Sequence, residues 1–136
     1  MTVFVLDSSA VIRYIDNEAG GDRVNAIFKA CVKRQAEVCL SAVQWGEVAG
    51  NLRTRFGASQ QKRILDSLIP MEVEIVPVSA ERAVRAAELR VDRSISYADA
   101  FALDLAMDSA DRVLVTADND FKKVDDMARI EYLPVK

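Results

Sequence analysis

The chain has 136 residues, the length of one ordinary domain, with 51% hydrophobic residues, 29% charged residues and a formal net charge of −3. It contains no histidine, which excludes Ser-His-Asp and Cys-His catalysis, histidine-containing zinc sites and histidine-dependent cleavage of RNA. Catalysis would therefore depend on carboxylates, hydroxyls, amines or a metal ion held by oxygen, and oxygen ligands favour Mg²⁺ or Mn²⁺.

The sequence also limits where the protein acts. No stretch approaches the roughly 18 apolar residues of a membrane span, and no basic region precedes an apolar one at the N-terminus. Cys31 and Cys39 form no CxxC motif, so we expect two reduced thiols. We therefore expect a cytoplasmic protein without membrane contact, built as a single domain over residues 1–136.

Short apolar runs alternate with segments of helical periodicity. Strands are predicted at residues 2–6, 38–40, 73–76, 113–115 and 130–133. Helices are predicted at 8–15, 24–31, 41–56, 60–69, 79–91 and 96–109, with Ser8 or Ser9, Ser41, Ser79 and Ser96 at their starts. Ser41 and Gln44 have capping-box spacing. The alternation predicts an α/β protein, an α/β/α sandwich around a mostly parallel sheet of four or five strands.

Two aspartates follow predicted strands directly. Asp7 ends the run VFVLD, and Asp118 follows RVLVT. Ligands of parallel sheets bind at the carboxyl ends of the strands, so we expect both acids at one edge. Asp118 and Asp120 also suit a simple turn, because Ala-Asp-Asn-Asp favours one. Thr116 is a candidate to orient one of these two carboxylates through its hydroxyl group.

Two further acids lie in predicted helices. Glu47 has no basic residue three or four positions away, although a solvated glutamate is the simpler interpretation. Gly46 and Gly50 flank it, and glycines inside a helix suggest close approach of another backbone. Asp99 lies in the first turn of the helix that starts at Ser96, where capping and the helix dipole offer an alternative explanation.

Charge is unevenly distributed along the chain. Residues 51–63 contain four basic residues and no acid: Arg53, Arg55, Lys62 and Arg63. Residues 97–120 contain six aspartates against Arg112 alone. Among these aspartates, Asp104 and Asp108 lie one turn apart, and we expect both to be solvated.

Four acids share a position relative to the predicted elements: each follows a strand or lies in the first two turns of a helix. They are Asp7, Glu47, Asp99 and Asp118. Carboxylates about 5 Å apart repel by a few kcal/mol per pair at an effective dielectric near 20. A divalent cation offsets this repulsion, activates water and stabilises charge on a phosphate. Together the four acids predict a phosphodiesterase site that needs no histidine.

These segments resemble the motifs of the PIN-domain family over nearly the whole chain. VFVLDSSAVI is similar to the first motif, LSAVQWGEVAG to the helix with the glutamate, ISYADAFALDLA to the third-acid helix and VTADNDF to the last motif. The resemblance implies a PIN-like domain in which the four acids bind metal and catalyse. It adds Asp120 as a further candidate ligand, with Ser8 and Thr116 in support.

The length also resembles that of the VapC toxins of bacterial and archaeal toxin–antitoxin pairs. This resemblance implies a homodimeric, Mg²⁺- or Mn²⁺-dependent endoribonuclease that cuts structured RNA, such as tRNA or ribosomal RNA, and is silenced by a VapB-type antitoxin. Metal-activated water would hydrolyse the phosphodiester, and one or two metal ions are both compatible with the acids. The four basic residues of 51–63 are candidates to guide the RNA backbone.

Four other kinds of protein are alternatives to a VapC-type toxin. A PIN-domain ribonuclease of RNA processing would have the same acids. A non-catalytic PIN-like module that binds RNA or protein would gain nothing from clustered like charges. A phosphatase of the haloacid-dehalogenase type would need a second acid shortly after Asp7, where Ser8 and Ser9 lie. A phosphoacceptor receiver domain would need paired acids there and a lysine after the last strand.

Overall fold

Residues 1–135, which the computed structural model describes, form five strands and six α-helices, with two α-helices between each consecutive pair of the first four strands and a 3-10 helix preceding the fifth. The strands are β1 (Val3–Leu6), β2 (Glu37–Ser41), β3 (Glu74–Val76), β4 (Arg112–Thr116) and β5 (Arg129–Tyr132). The helices are α1 (Ser8–Ile15), α2 (Gly21–Val32), α3 (Ala42–Phe56), α4 (Ala58–Leu68), α5 (Ala80–Arg93) and α6 (Tyr97–Ala106). Short 3-10 helices cover Ile69–Met71 and Asn119–Val124.

The five strands form one sheet in the order β3-β2-β1-β4-β5, and every pair is parallel. The chain moves outward from β1 to β3 and then returns to place β4 on the other side of β1. The direction in which strands are added to the sheet therefore reverses between β1 and β4. Parallel sheets form ligand crevices at such a position. Asp7 follows β1 and Asp118 follows β4, so the fold places both at this crevice.

Side chains of β1 alternate between the two faces of the sheet, as a doubly covered strand requires. Val3 and Val5 belong to an apolar cluster with residues of α5 and α6. Phe4 and Leu6 pack in a second cluster with residues of α1, α2, α3 and α4. The sheet is therefore the middle layer of a sandwich, which confirms the predicted α/β/α architecture.

Two adjacent glycines allow α1 and α2 to pack closely. Gly20 has φ of +87°, a conformation that favours glycine. A Cβ atom on Gly21 would lie 2.6 Å from the carbonyl oxygen of Arg13. The glycines of α3 behave differently, because a Cβ atom on Gly46 or Gly50 would meet no atom within 4 Å. The predicted close backbone approach at these two positions is therefore wrong.

The remaining differences from the sequence prediction are small. Helix α4 begins at Ala58 rather than at residue 60, and α6 ends at Ala106 rather than at Ser109. Cys31 and Cys39 are free and buried, as expected. Within residues 1–135, no helix combines the length and apolar character that crossing a membrane requires.

Candidate active site

Asp7 is the most enclosed acid at the crevice, with only 2% of its surface exposed. Its Oδ1 accepts hydrogen bonds from the Ala10 backbone N–H (2.9 Å) and the Ser9 hydroxyl (2.7 Å), so Asp7 itself caps α1. The predicted serine cap is wrong, because α1 already begins at Ser8. Burial raises the pKa of Asp7 to about 6, although its hydrogen bonds, including one from Thr116, lower it.

Thr116, at the end of β4, connects the two acids of the crevice. Its hydroxyl donates to Oδ2 of Asp7 at 2.5 Å and accepts from the backbone N–H of Asp118 at 2.9 Å. Asp118 Oδ1 in turn accepts from the Asp120 backbone N–H at 2.8 Å and caps the 3-10 helix Asn119–Val124. Thr116 therefore orients the carboxylate of Asp7, which corrects the prediction that it orients that of Asp118 or Asp120.

Glu47 lies on the exposed face of α3. The Ser8 hydroxyl donates to Glu47 Oε1 at 3.0 Å. This contact joins residues 39 positions apart and brings the third acid to the turn after β1. Ser8 thus contacts an acid of the candidate site, and its role as a supporting residue stays a prediction.

Asp99 occupies the first turn of α6, where its backbone N–H donates to the Ser96 hydroxyl at 3.1 Å. The Ser96 cap is therefore confirmed. The Asp99 carboxyl has a pKa raised to about 6, chiefly by burial and then by the charge of Asp118, with smaller effects of Asp7 and Glu47. The charges of the other three acids thus all act on the Asp99 carboxyl, and the charge of Asp118 also acts on Asp7.

The candidate ligands at this edge are carboxylate oxygens, which hard divalent cations prefer. The negative charges also raise the pKa of Asp99, and a cation would offset this repulsion. In the arrangement of residues 1–135, no three acidic or cysteine side chains group tightly enough to ligate one ion. Binding would therefore require rotation of side chains toward a shared point. Glu47 is exposed, so part of its side chain is surrounded by solvent, which leaves room for such a rotation.

The sequence prediction missed a role for Gln44, which is 1% exposed. Ser41 caps α3 by accepting from the Val43 backbone N–H at 3.2 Å. Gln44 turns away from Ser41: its Oε1 accepts from the Ser8 backbone N–H at 2.7 Å, and its Nε2 donates to the Ala98 carbonyl at 2.6 Å. The capping-box spacing was therefore misleading for Gln44.

Ser9 is a second residue that the sequence prediction left without a site role. Besides donating to Asp7, its Oγ accepts from the Ala117 backbone N–H at 2.9 Å and lies 3.3 Å from the Thr116 hydroxyl. It thus joins the turn after β1 to the turn after β4. The two consecutive serines after Asp7 were the only signal in the sequence.

The four predicted RNA-contacting residues lie on the exposed surface of α3 and α4: Arg53, Arg55, Lys62 and Arg63. Arg55 pairs with Asp16 at 2.8 Å, and Lys62 pairs with Asp66 at 2.6 Å. These two positive charges are therefore partly neutralised within the protein.

Asp104 and Asp108 are not the solvated pair that the sequence predicts. Asp104 is 4% exposed and accepts from Arg82 Nη1 at 2.9 Å and Arg85 Nε at 2.7 Å. Asp108 pairs with Arg82, and Arg112 lies 3.9 Å from it. The arginines of α5 neutralise both acids, because α5 packs beside α6 and presents them there.

A model of the PIN domain matches residues 4–127. The chain belongs to the PIN-domain family. No curated protein matches this sequence significantly.

Several solved structures share the PIN fold of this chain. One chain of the VapBC complex of Rickettsia felis, bound to a DNA fragment from its promoter, has a TM-score of 0.75 and 18% identity, and the match covers 98% of this chain and 100% of that chain. The DNA-bound VapBC complex of Salmonella typhimurium gives 0.72 and 16%, covering 97% and 98%. The sarcin–ricin-loop-cleaving VapC toxin of Mycobacterium tuberculosis gives 0.68 and 22%, covering 89% and 93%.

Proposed function

We propose that this PIN-domain protein is a metal-dependent endoribonuclease and the toxin of a VapBC-type toxin–antitoxin pair. The observation that supports the site most directly is electrostatic: burial and neighbouring carboxylates raise the pKa values of Asp7 and Asp99 to about 6 at one sheet edge. Family membership supports a nuclease. The similar solved structures, which are VapBC complexes and a sarcin–ricin-loop-cleaving VapC toxin, support the toxin assignment.

In this proposal, Mg²⁺ or Mn²⁺ is held by Asp7, Glu47 and Asp99, and Asp118 with Asp120 completes that site or holds a second ion. A bound divalent ion supplies an activated water and stabilises charge on the phosphate. Both Asp7 and Asp99 are mainly ionised at pH 7, since their pKa values are about 6, and so can act as ligands.

The surrounding hydroxyl groups determine the geometry of the ligands. Thr116 and Ser9 each donate to one oxygen of Asp7, which fixes the orientation of its carboxylate. Ser8 donates to one oxygen of Glu47 and leaves the other oxygen without that bond. Such hydrogen-bonded outer residues orient metal ligands and tune their affinity.

The substrate in this proposal is structured RNA, such as tRNA or ribosomal RNA, and Arg53, Arg55, Lys62 and Arg63 contact its backbone. Each phosphate contact adds to the salt dependence of binding. The partners are a VapB-type antitoxin, which blocks the acidic edge, and a second copy of the chain in a homodimer. A toxin of this type acts in the cytoplasm.

The test compares the purified wild-type protein with Asp99→Asn and Asp22→Asn on a mixture of tRNA and ribosomal RNA, in Mg²⁺, Mn²⁺ or EDTA. Asp22 is a matched control, because it is an exposed aspartate in the first turn of α2. We expect discrete metal-dependent cuts by wild type and Asp22→Asn, and a loss on the order of 1000-fold in Asp99→Asn, since metal ligation contributes several kcal/mol.

Four outcomes would contradict the proposal, and two of them would favour a named alternative. Equal cleavage by Asp99→Asn and wild type would show that the acids are structural. Cleavage that persists unchanged in EDTA would rule out metal dependence. Binding of intact RNA or of a protein without any cleavage would favour the alternative, a non-catalytic PIN-like module. Trimming at defined sites of precursor RNA, without toxicity in cells, would favour an RNA-processing enzyme.

A further inference from the structure

We infer that Gln44 is a positioning residue that holds the segments bearing Asp7 and Asp99 against the helix bearing Glu47. The side-chain amide of Gln44 contacts the backbone of Ser8, one residue after Asp7, and that of Ala98, one residue before Asp99. Glu47 lies one turn further along the same helix, α3. The inference rests on the proposed function, because it concerns ligands of the proposed metal site.

Both ends of the Gln44 amide are used, and the chemistry of the partners fixes its orientation. The Ser8 backbone N–H can only donate, so it faces the amide oxygen at 2.7 Å. The Ala98 carbonyl can only accept, so it faces the amide nitrogen at 2.6 Å. Among side chains of this length, glutamine alone supplies one acceptor and one donor without adding charge.

The burial of Gln44 indicates that these bonds matter. A polar side chain that is 1% exposed has lost its water, and the protein must replace those hydrogen bonds. Ser8 is the first residue of α1, and its N–H has no partner within the helix. Gln44 therefore satisfies a group at the start of α1 and joins residues that are 36 and 54 positions away in sequence.

The contacts of Gln44 differ from those of the other polar residues around the site. Ser9 and Thr116 hold Asp7 toward β4, and Ser8 holds Glu47. Within residues 1–135, the Gln44 side chain hydrogen-bonds to backbone groups and to no carboxylate. It fixes instead the spacing between the turn after β1 and the first turn of α6, which determines how far the carboxylates of Asp7 and Asp99 lie from each other.

The first test measures Mn²⁺ affinity and the cleavage rate at saturating Mn²⁺ in Gln44→Met. Methionine keeps the length of the side chain and removes both hydrogen bonds. Gln61→Met is the matched control, since Gln61 also ties two elements together, by donating to the Ala49 carbonyl at 2.9 Å. We expect Gln44→Met to weaken Mn²⁺ binding about 10-fold or more, the usual effect of losing an outer residue of a metal site, with lower cleavage.

Thermal unfolding in EDTA separates this effect from general destabilisation. Both methionine variants should melt below wild type, because each loses a helix-anchoring bond, but only Gln44→Met should lose Mn²⁺ affinity. Equal Mn²⁺ affinities of Gln44→Met and Gln61→Met, at a temperature where both are folded, would overturn the inference. Wild-type protein that binds no Mn²⁺ and cuts no RNA would contradict the proposed function, and the role of Gln44 would be rejected with it.

A second pair of variants leaves Gln44 intact. Ser8→Pro removes the backbone N–H that donates a hydrogen bond to Gln44 Oε1. Proline is well tolerated at the first position of a helix. Ser8→Ala removes the hydroxyl that contacts Glu47 but keeps the N–H. We expect Ser8→Pro to weaken Mn²⁺ binding more than Ser8→Ala when Gln44 is present, and the two variants to have equal effects when each is combined with Gln44→Met. Equal effects of the two Ser8 variants would overturn the inference.

Discussion

Two aspartates of α6 show how differently one residue type is used in this protein. Asp104 is buried and accepts from two arginines of α5, at 2.9 Å and 2.7 Å. Asp99, one and a half turns earlier, is partly exposed and faces the charges of Asp118, Asp7 and Glu47. Within residues 1–135, ion pairs involve Asp104 and Asp108 but none of the four acids at the sheet edge.

The presence or absence of an arginine partner distinguishes the structural carboxylates from those of the candidate site. Arginine neutralises Asp104, so its charge is already balanced within the fold. Among residues 1–135, the acids at the sheet edge have hydrogen bonds but no ion pair with a cationic side chain, and burial and repulsion raise the pKa values of Asp7 and Asp99 to about 6. Such a cluster destabilises the protein alone, and it suits the binding of a cation.

The largest stability effect in this comparison is expected for Asp104→Asn. Removing the buried carboxylate leaves the mostly buried Arg82 facing a neutral side chain, which costs about 2 kcal/mol of unfolding free energy, whereas the half-exposed Arg85 is solvated by water. Urea unfolding in EDTA measures this loss, with Asp22→Asn as control. RNA cleavage per folded molecule should stay at the wild-type level. A loss of cleavage without a loss of stability would place Asp104 in the site instead.

The affinity for Mn²⁺ should depend on pH in the range where Asp7 and Asp99 titrate. Both carboxyls must lose a proton to bind a metal ion, and their pKa values are about 6. We therefore expect affinity to rise about tenfold or more between pH 5 and pH 7. Calorimetric titration at several pH values measures it. An affinity that is constant over this range would contradict the assignment of these two acids as ligands.

Asp99→Asn should stabilise the metal-free protein at neutral pH. The raised pKa of Asp99 means that the fold disfavours its charged form, so the penalty is absent below about pH 4 and complete above about pH 6. For this half-exposed group, solvent screening reduces the expected gain to about 1 kcal/mol at pH 7.

Thermal unfolding in EDTA between pH 4 and pH 7 tests this sign. The difference between Asp99→Asn and wild type should vanish toward pH 4, because the wild-type carboxyl is then mostly protonated. Asp22→Asn should show no such trend, since Asp22 lies on the exposed surface of α2. A variant that melts below wild type at pH 7 would contradict the idea of repelling acids.

Much of this arrangement could be predicted because local sequence determines it. The β-rich runs VFVL and RVLVT specify neighbouring parallel strands, and an acid placed after such a strand must lie at its carboxyl end. Ser96 caps α6 from its position alone. The fold and the placement of Asp7 and Asp118 at the ends of neighbouring strands therefore followed from patterns within a few residues of each acid.

The contacts that hold the site could not be predicted, because they join distant residues. Gln44 satisfies a local capping rule, yet its partners lie on α1 and α6, and tertiary contacts override the local preference. Asp104 has no basic residue within four positions, and its arginines come from α5, 19 and 22 positions earlier. Which side chains face each other across packed helices is set by the fold rather than by spacing.

The central claim is that the acids at the sheet edge destabilise the protein without a cation and bind one. Thermal unfolding of wild type and Asp99→Asn at pH 7, in EDTA and in excess Mn²⁺, tests it directly. In EDTA the variant should melt higher, by about 3–5 °C for 1 kcal/mol. In Mn²⁺ the wild type should melt higher, because binding stabilises the folded state by mass action. The same order of melting temperatures in both conditions would contradict the claim.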